Sequence, residues 1–359
     1  MTVALYTNVI SPHQLPLARE IVRRIGKAGY RYVYTEDLHD ERTRMGWAGE
    51  RPSDVLCLKL DSGGGALETE EARQWLERCD VLLCCFRDLA LIERRSRKGL
   101  RTYYVNERWF KPPLGYLRML VPSFRRMAKR FVSLTERHER FRLLPIGVHA
   151  CHDFRRLGVR PDKMTTWGYF VEASQRPSPS PRPARSGAQD VLRILWVGRL
   201  LALKRVDTLF KAVNACQGKF PIELTVAGDG PMRCRLERLA QRLFGGHPGT
   251  LSFQHSVPIE QVRALMQSHD VYVLTSNGYE GWGAVVSEAI EEGMTVFGTY
   301  EAGSCATILP DAQLFSAGDW RRLSRLLEAF HSNPQRFDNG GDFLWTAARA
   351  AERLLSCTL

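Results

Sequence analysis

Short apolar runs and longer amphipathic stretches alternate along the first 170 residues of the chain. The apolar runs are rich in Val, Leu and Tyr and show little polar alternation, which is typical of strands buried on both faces. The stretches between them space their apolar residues as helices do, and Leu15–Ala28 ends at a glycine, Gly29. Strands that alternate with helices predict a parallel, doubly wound α/β sheet. The predicted strands are Val3–Tyr6, Tyr30–Thr35, Asp54–Leu60, Val81–Phe86, Arg101–Asn106 and Leu143–Val148.

A segment rich in proline and serine, Gln175–Asp190, interrupts this alternation. Its composition favours extended chain that does not pack, so it predicts a domain boundary. Beyond it the alternation starts again, with apolar runs near Ile194, Ile222, Leu251, Val271 and Val296. The sequence therefore predicts two domains of the same class, residues 1–171 and 191–335, with a linker at 172–190 and a terminal segment at 336–359.

The length of the chain agrees with this division, and its apolar runs and cysteine content indicate which classes of protein it does not resemble. A chain of 359 residues predicts about two domains. No apolar run of about 18 residues occurs, and the N-terminal apolar stretch lacks a preceding basic region, so it is interpreted as a strand and not as a signal peptide. Nine cysteines without the paired spacing of a zinc site indicate a reduced, cytoplasmic protein.

The net charge of +12 is concentrated in one region, residues 94–142, which holds fifteen Lys or Arg and three Glu. Such a region attracts an anionic membrane, nucleic acid or a phosphorylated acceptor, or else it is a basic helix face in water. We expect peripheral association with the inner face of the plasma membrane, and nucleic acid is not expected as a partner. The apolar residues expected to enter the interface are Trp109, Phe110, Leu117, Met119, Leu120, Phe124 and Phe131.

One stretch, Thr275–Gly293 (TSNGYEGWGAVVSEAIEEG), combines a glycine-rich turn with a helix and follows the apolar run Val271–Leu274. Backbone N–H groups at a helix N-terminus bind phosphate, and glycine lets the backbone approach the ligand. Two carboxylates frame the turn, Glu280 before the helix and Glu288 inside it. Carboxylates bind hydroxyls, so the pair suggests a sugar and a ribose flanking a diphosphate. The alternative is a surface turn followed by a solvated helical glutamate.

Glu280, seven further residues and Glu288 resemble the paired-glutamate motif of retaining GT-B glycosyltransferases of the family-four group, or glycosyl transferases group 1. The resemblance extends from Leu192 to about Leu327 and includes WVGRLLALKRVDTLFKAV and VAGDGPMRCRLERLA. It implies the GT-B fold, two Rossmann-like doubly wound domains facing a cleft, with the segment 336–359 crossing back to the N-terminal domain. It also implies that Glu280 contacts the donor sugar and Glu288 the ribose.

The same resemblance places further residues at the donor. Gly198 and Arg199 follow an apolar run, at a strand end where ligands bind in open parallel sheets, and Lys204 lies five residues beyond Arg199. Arg199 and Lys204 are expected to neutralise the diphosphate as its bond to the sugar breaks. His255 stands where the family has glycine, and it either lines the base pocket or is a loop histidine. The turn supplies the remaining expected donor contacts: Gly281, Trp282, Gly283 and Ala284.

The N-terminal domain is expected to bind the acceptor, and three residues after its predicted strands are candidates. Glu107 follows the fifth strand and suits an acceptor hydroxyl. His13 follows the first strand and suits a phosphate or the acceptor, while His149 follows the sixth. Either histidine is alternatively structural.

Together these residues predict a retaining glycosyltransferase that moves a sugar from a nucleotide diphosphate sugar, of the UDP or GDP type, to an acceptor hydroxyl. The expected acceptor is a sugar or a lipid-linked sugar in polysaccharide or glycolipid assembly. No cofactor and no metal are expected, because the sequence places cations rather than an Asp-x-Asp cluster near the diphosphate. Two alternatives stay open: a nucleotide-sugar epimerase of the same architecture, which needs no second acceptor, and a non-catalytic nucleotide-sugar-binding protein.

Overall fold

The computed structural model describes residues 1–37, 51–60, 66–171, 191–247, 249–337 and 346–356. They belong to two compact units. Unit 1 comprises Met1–Glu172 and Trp345–Leu359, and unit 2 comprises Ala173–Leu344. The predicted linker, residues 172–190, lies outside the described residues, as does part of the predicted terminal segment 336–359.

Unit 1 is built on a parallel sheet. Its strands are β1 Val3–Thr7, β2 Tyr30–Tyr34, β3 Cys57–Lys59, β4 Val81–Cys84, β5 Arg101–Asn106 and β6 Phe141–Pro145. They pair in the order β3-β2-β1-β4-β5-β6. The central strands β1 and β4 are buried along their whole length, which explains why their sequences lack polar alternation. Three strands differ from prediction by two residues or more: β3 is shorter than Asp54–Leu60, β4 ends two residues before Phe86, and β6 lies two to three residues earlier than Leu143–Val148.

Helices cover this sheet, and their apolar stripes face it. Those described within residues 1–171 are α1 Leu15–Ile25, α2 Ala66–Arg78, α3 Leu89–Arg97, α4 Pro122–Arg137 and α5 Val148–Arg156. The basic stretch 117–142, whose sequence predicts a mostly helical segment, contains a 3-10 helix, Gly115–Leu120, followed by α4. Pro122 occupies the first turn of α4, where its missing N–H and fixed φ are tolerated, and this separates the two elements.

Three aromatic residues expected to enter a membrane lie in the core of unit 1. Trp109, Phe110 and Phe131 are buried. The rings of Trp109 and Phe131 pack with their centroids 5.0 Å apart, between α4 and the strands β5 and β6. The expectation that these three residues dip into a lipid interface is therefore wrong, because they fill the space beneath the basic helix.

Unit 2 repeats the same design. Its strands are β7 Leu192–Val197, β8 Ile222–Ala227, β9 Leu251–Gln254, β10 Val271–Leu274, β11 Thr295–Thr299 and β12 Leu314–Phe315. They pair in the order β12-β11-β10-β7-β8-β9, so the first strand of each unit lies between its second and its fourth. This order is doubly wound in both units and confirms the predicted fold class. The helices are α6 Val206–Cys216, α7 Arg233–Phe244, α8 Ile259–Ser268, α9 Val285–Glu291, α10 Gly303–Ile308 and α11 Trp320–Ser332.

The chain returns to unit 1 for its last described helix, α12 Ala347–Leu355. Thr346 forms an isolated parallel bridge with Val171, and the Arg24 guanidinium on α1 donates a 2.9 Å hydrogen bond to the carbonyl of Ala348. Leu354 is fully buried. Among the described helices, none combines the length and the apolar character that crossing a bilayer requires.

Candidate functional site

The loops that follow β7 and β10 meet at the carboxyl edge of the second sheet. These two strands are neighbours, and the chain leaves them toward opposite halves of the sheet, which is where open α/β sheets form a binding crevice. The backbone N–H of Asn277 donates to the carbonyl of Leu203 at 2.9 Å. The Thr275 hydroxyl donates to the carbonyl of Lys204 at 2.6 Å. The two loops are therefore fixed to each other.

Lys204 and Glu280 form an ion pair at this junction. The Lys204 ammonium nitrogen lies 2.5 Å from Oε2 of Glu280, and the Ser276 hydroxyl donates to the same oxygen at 2.8 Å. The side chains of Lys204 and Glu280 are 17% and 14% exposed, so little water screens the pair. The glutamate is thus held in one orientation by two residues from two loops. Ser276 had not been predicted, although its position directly after a buried strand is a signal that could have indicated it.

The loop after β7 also packs tightly against the loop after β8. Gly228 has φ 143°, and a Cβ there would lie 1.9 Å from the carbonyl oxygen of Gly198. Two residues on, a Cβ at Gly230 would lie 2.7 Å from the carbonyl oxygen of Leu200. Only glycine allows these backbones to approach so closely. This packing positions the loop that carries Gly198 and the half-buried Arg199.

The turn between Glu280 and α9 is supported from the side by α10. The Ser304 hydroxyl donates to the carbonyl of Gly283 at 3.0 Å, and its backbone N–H donates to the carbonyl of Trp282 at 2.9 Å. Gly283 takes φ 88°, a left-handed conformation that a residue with a side chain adopts only with strain. Ala284 is the N-cap of the seven-residue helix α9, and Trp282 is buried. The predicted turn is therefore rigid.

Glu288 lies within α9, eight residues beyond Glu280. Burial raises the pKa of its carboxyl group, while Arg263 on α8 acts weakly in the opposite direction. A carboxyl group in such surroundings gains by pairing with hydroxyl donors, because desolvation disfavours its charged form.

His255 lies at the edge of this region, in the loop after β9. Its ring is 83% exposed, and its Nδ1 lies 3.1 Å from Oδ1 of Asp229. The backbone N–H of Ser256 donates to Asp229 at 2.7 Å, and this bond, with Arg233 and His255, lowers the pKa of Asp229 to about 2. Asp229 therefore fastens the loop after β9 to the loop after β8, and His255 belongs to that connection.

The three candidate residues of unit 1 lie at the carboxyl edge of the first sheet. Glu107, directly after β5, forms an ion pair with Lys111 and accepts a 3.4 Å hydrogen bond from the Tyr169 hydroxyl. The ring of His13 lies with its centroid 6.1 Å from that of Tyr169. The structure thus brings His13 and Glu107 together through a tyrosine that no sequence pattern had indicated. His149 lies in the first turn of α5.

Within the described residues, no group of three or more His, Cys, Asp or Glu side chains is placed to hold a metal ion. At the edge of the second sheet, Glu280 is paired with Lys204, and burial raises the pKa of Glu288. What the edge offers to a ligand is a pair of carboxyl groups, two basic side chains and closely packed backbone.

Comparison with known proteins finds a family match within the second unit. Residues 183–341 match the family model described as Glycosyl transferases group 1. A GDP-mannose-dependent alpha-(1-6)-phosphatidylinositol dimannoside mannosyltransferase of Mycobacterium tuberculosis (strain ATCC 25177 / H37Ra) is 32% identical over 130 residues. That alignment covers 33% of this chain and 32% of the relative, so the similarity spans about a third of either protein.

Two solved structures are similar over nearly the whole chain. The apo form of the lipopolysaccharide outer core galactosyltransferase WaaB has a TM-score of 0.68 at 14% identity, and covers 100% of both chains. Anabaena Alr3699/HepE in complex with UDP-glucose has a TM-score of 0.67 at 13% identity, and covers 100% of this chain and 99% of its own. At these identities the likeness shows the fold alone, which is the two-domain GT-B fold.

Proposed function

We propose that this protein transfers a sugar from a nucleotide diphosphate sugar to an acceptor hydroxyl, with retention of anomeric configuration, since residues 183–341 match the family model described as Glycosyl transferases group 1. The observation that carries the proposal is the convergence of Lys204, Ser276 and Glu280 at the switch point of the second sheet. A binding crevice is expected at that edge, and there the chain holds a carboxylate in a fixed orientation. Such preorganisation serves a reaction that depends on positioning and charge.

Glu280 is proposed to bind hydroxyl groups of the donor sugar. Both of its partners contact the same oxygen, Oε2. The Lys204 ammonium group has three N–H donors and donates one to this carboxylate, so it can also donate to a phosphate oxygen. Arg199, in the loop positioned by Gly228, would supply the second cation. As the glycosidic bond breaks, negative charge grows on the diphosphate, and these cations stabilise it more strongly than in the ground state.

Glu288 is proposed to bind the ribose of the donor. Burial raises the pKa of this carboxyl group, so its charged form is disfavoured in the ligand-free protein. Two vicinal hydroxyl donors of the ribose would stabilise the carboxyl group when the nucleotide binds. Retention would then follow from attack on the face that the diphosphate leaves, with a diphosphate oxygen accepting the proton of the acceptor hydroxyl. No nucleophile from the protein is needed, and we propose that Arg199 and Lys204, rather than a divalent metal, balance the diphosphate.

The proposed donor is a nucleoside diphosphate sugar of the UDP or GDP type. The mycobacterial relative is named for GDP-mannose, and the Anabaena structure contains UDP-glucose. The proposed acceptor is a sugar or a lipid-linked sugar in polysaccharide or glycolipid assembly on the cytoplasmic side of the membrane. His13, Glu107 and Tyr169 would contact it, since they gather at the carboxyl edge of the first sheet.

A thermal-shift screen followed by turnover assays tests the proposal. UDP, GDP, ADP and their sugars are added singly, because a ligand at about a hundred times its dissociation constant stabilises the folded protein by about 2.7 kcal/mol. Turnover with the donor so found is then compared for the wild type, Glu280→Gln, Glu288→Gln and the control Glu223→Gln, whose side chain is exposed on β8. We expect both site variants to lose turnover by about a hundredfold or more while the control keeps it. Stabilisation by none of the nucleotides, or full turnover in Glu280→Gln, would refute the proposal.

A further inference from the structure

One segment of unit 1 exposes apolar side chains next to a basic helix face. Ten large hydrophobic residues are exposed among the described residues, and five of them lie between positions 114 and 121. Leu117 is 62% exposed and Leu120 is 77% exposed. Apolar side chains gathered so closely on a surface mark an interaction site more often than single ones do. The exposed apolar segment consists of Leu114, Tyr116, Leu117, Leu120 and Val121.

The exposed apolar segment is held in place by the core behind it. The Arg118 guanidinium donates a 3.1 Å hydrogen bond to the carbonyl of Trp109. The ring of Tyr116 packs on Phe110 with centroids 4.8 Å apart, and the Arg156 guanidinium lies 4.6 Å from the centroid of the same tyrosine ring. Leu117 and Leu120 therefore lie on a 3-10 helix that is fixed to the core. Their side chains are exposed to solvent.

The outer face of α4 continues this surface with positive charge. Arg125 follows Val121 by one helical turn, and its backbone N–H donates to the carbonyl of Val121 at 2.9 Å. Arg126 and Lys129 are exposed on the same face, while Phe131 on the opposite face is buried. Within the described part of the chain, Arg125, Arg126 and Lys129 take part in no ion pair. We call these three residues the basic face.

The charged residues of this stretch of sequence have one sign, and three of them, Arg108, Lys111 and Arg130, pair with acidic residues outside it. From Arg108 to Thr135 the sequence contains seven Lys or Arg and neither Asp nor Glu. A protein partner would have to supply both a pocket for leucines and a matching acidic rim. A bilayer with anionic head groups offers both features over any area, because hydrocarbon lies directly beneath the negative surface.

We infer that the exposed apolar segment and the basic face dock this protein on an anionic lipid bilayer, with Leu117 and Leu120 entering the interface. The inference corrects the expected set of membrane-facing residues, since the aromatic residues first expected there are buried. It concerns a surface of unit 1 and stands whether or not the proposed sugar transfer is correct. Lipid contact would hold the protein close to acceptors that are themselves embedded in a membrane.

Co-sedimentation with vesicles tests the inference on the full chain. The probes are vesicles of phosphatidylcholine alone and vesicles with about a third of phosphatidylglycerol. We expect binding to the anionic vesicles only, and weaker binding as salt rises, because the Debye length shortens from about 10 Å at 0.1 M to about 3 Å at 1 M. Equal binding to both kinds of vesicle, or binding to neither, would overturn the inference.

Two sets of variants, each with a matched control, locate the surface. Replacing Arg125, Arg126 and Lys129 by glutamine should weaken binding on the order of a hundredfold, since each cation near an anionic surface contributes about fivefold. The control removes three charges elsewhere, with Arg235, Arg238 and Arg242 on α7 replaced by glutamine, and should change binding little. An equal loss in both triple variants would show attraction by net charge alone and overturn the inference.

The leucine variants separate a bilayer from other anionic partners. Leu117→Ser combined with Leu120→Ser should weaken vesicle binding at least tenfold, because apolar side chains stabilise the membrane-bound state when they insert into hydrocarbon. The control Leu67→Ser changes a leucine of unit 1 that is 89% exposed outside the segment, and it should bind as the wild type does. If vesicle binding is lost in the basic-face variant but is unchanged in the leucine variant, the surface binds anions without inserting into lipid, and the bilayer inference is overturned. A binding assay with duplex DNA would then test nucleic acid as the partner.

Discussion

At the scale of single residues, the two glutamates of the candidate donor site have opposite environments. Glu280 is paired with Lys204 and bonded to Ser276, so its charge is compensated within the protein. Glu288 has a raised pKa because burial disfavours its charged form. Two carboxyl groups that lie eight residues apart in sequence therefore differ in how their charged forms are stabilised. This difference supports distinct proposed roles, a carboxylate held by Lys204 at the sugar and a desolvated carboxyl group at the ribose.

The pairing of Lys204 with Glu280 should be measurable as a coupling energy. We expect a double-mutant cycle of Lys204→Ala and Glu280→Gln to give about 1 to 2 kcal/mol in the free energy of unfolding, because the pair is largely shielded from water. The control cycle uses Lys219 and Glu328, a more exposed pair at 2.6 Å in the same unit, and should give a clearly smaller coupling energy. Urea denaturation supplies the energies, and equal coupling in both cycles would show that shielding adds nothing.

Replacement of Glu288 by glutamine should stabilise the ligand-free protein at neutral pH. The folded-state pKa lies above the unfolded one, so wild-type stability falls as pH rises from the unfolded pKa through the folded pKa. Glutamine does not titrate, and the variant should gain stability relative to the wild type across that window and keep the gain above it. Denaturant midpoints measured in steps from pH 4.5 to pH 8 test this. A constant difference between the two proteins over the whole range would contradict the raised pKa.

At the scale of elements, the sequence predicts strands and helices better than it predicts contacts. The run Val271–Leu274 predicts a strand, because a strand buried on both faces has no polar position. The structure contains this strand as β10. The hydrogen bond between Lys204 and Glu280 joins residues that are 76 positions apart in sequence. A local hydrophobic pattern cannot predict such a pairing. Tyr169 was missed for the same reason, because it lies outside any periodic element and matters only through its contact with Glu107.

The basic, mostly helical stretch over residues 117–142 shows a second limit of local patterns. Its apolar residues fit a helical period, yet the period alone does not say which face is covered. Phe131 turned out to be buried and Leu120 exposed, because the core beneath α4 is filled by Trp109 and its neighbours. Which apolar residues reach a surface therefore depends on packing between elements that are distant in sequence.

The glycine contact between the loops after β7 and β8 gives an element-scale prediction. Gly228→Ala should destabilise unit 2 by about 3 kcal/mol or more, because its Cβ would lie 1.9 Å from a backbone carbonyl at φ 143°. Displacement of Gly198 should also weaken nucleotide binding. Gly246→Ala is the matched control, since a Cβ there meets no atom within 4 Å, and should change stability by less than about 0.5 kcal/mol. Urea denaturation of the two variants distinguishes them, and equal stability would mean that the loops separate at little cost.

At the scale of the whole molecule, two sheets of the same strand order are carried by one chain. Each unit has its own buried core and its own polar edge, so each can be expected to respond separately to mutation. The division is not a simple cut of the sequence. Unit 1 is completed by the last helix, α12, whose residues lie more than 170 positions beyond Glu172. The resemblance implied such a return of the chain, whereas the hydrophobic pattern of the terminal segment predicts only a helix.

The last helix therefore provides the test of independence between the units. Leu354 on α12 is fully buried, and its replacement by alanine should destabilise unit 1 by about 2 to 4 kcal/mol through lost burial and a residual cavity. Arg353→Ala changes an exposed neighbour on the same helix and serves as the control. In a calorimetric scan we expect two transitions, of which Leu354→Ala lowers one, while the nucleotide found in the thermal-shift screen raises the other. The reason is that α12 contacts α1, whereas the proposed nucleotide site lies on loops of unit 2. If Leu354→Ala lowers both transitions equally, or if one transition accounts for the whole chain, the two units unfold as one cooperative structure and the nucleotide must stabilise both.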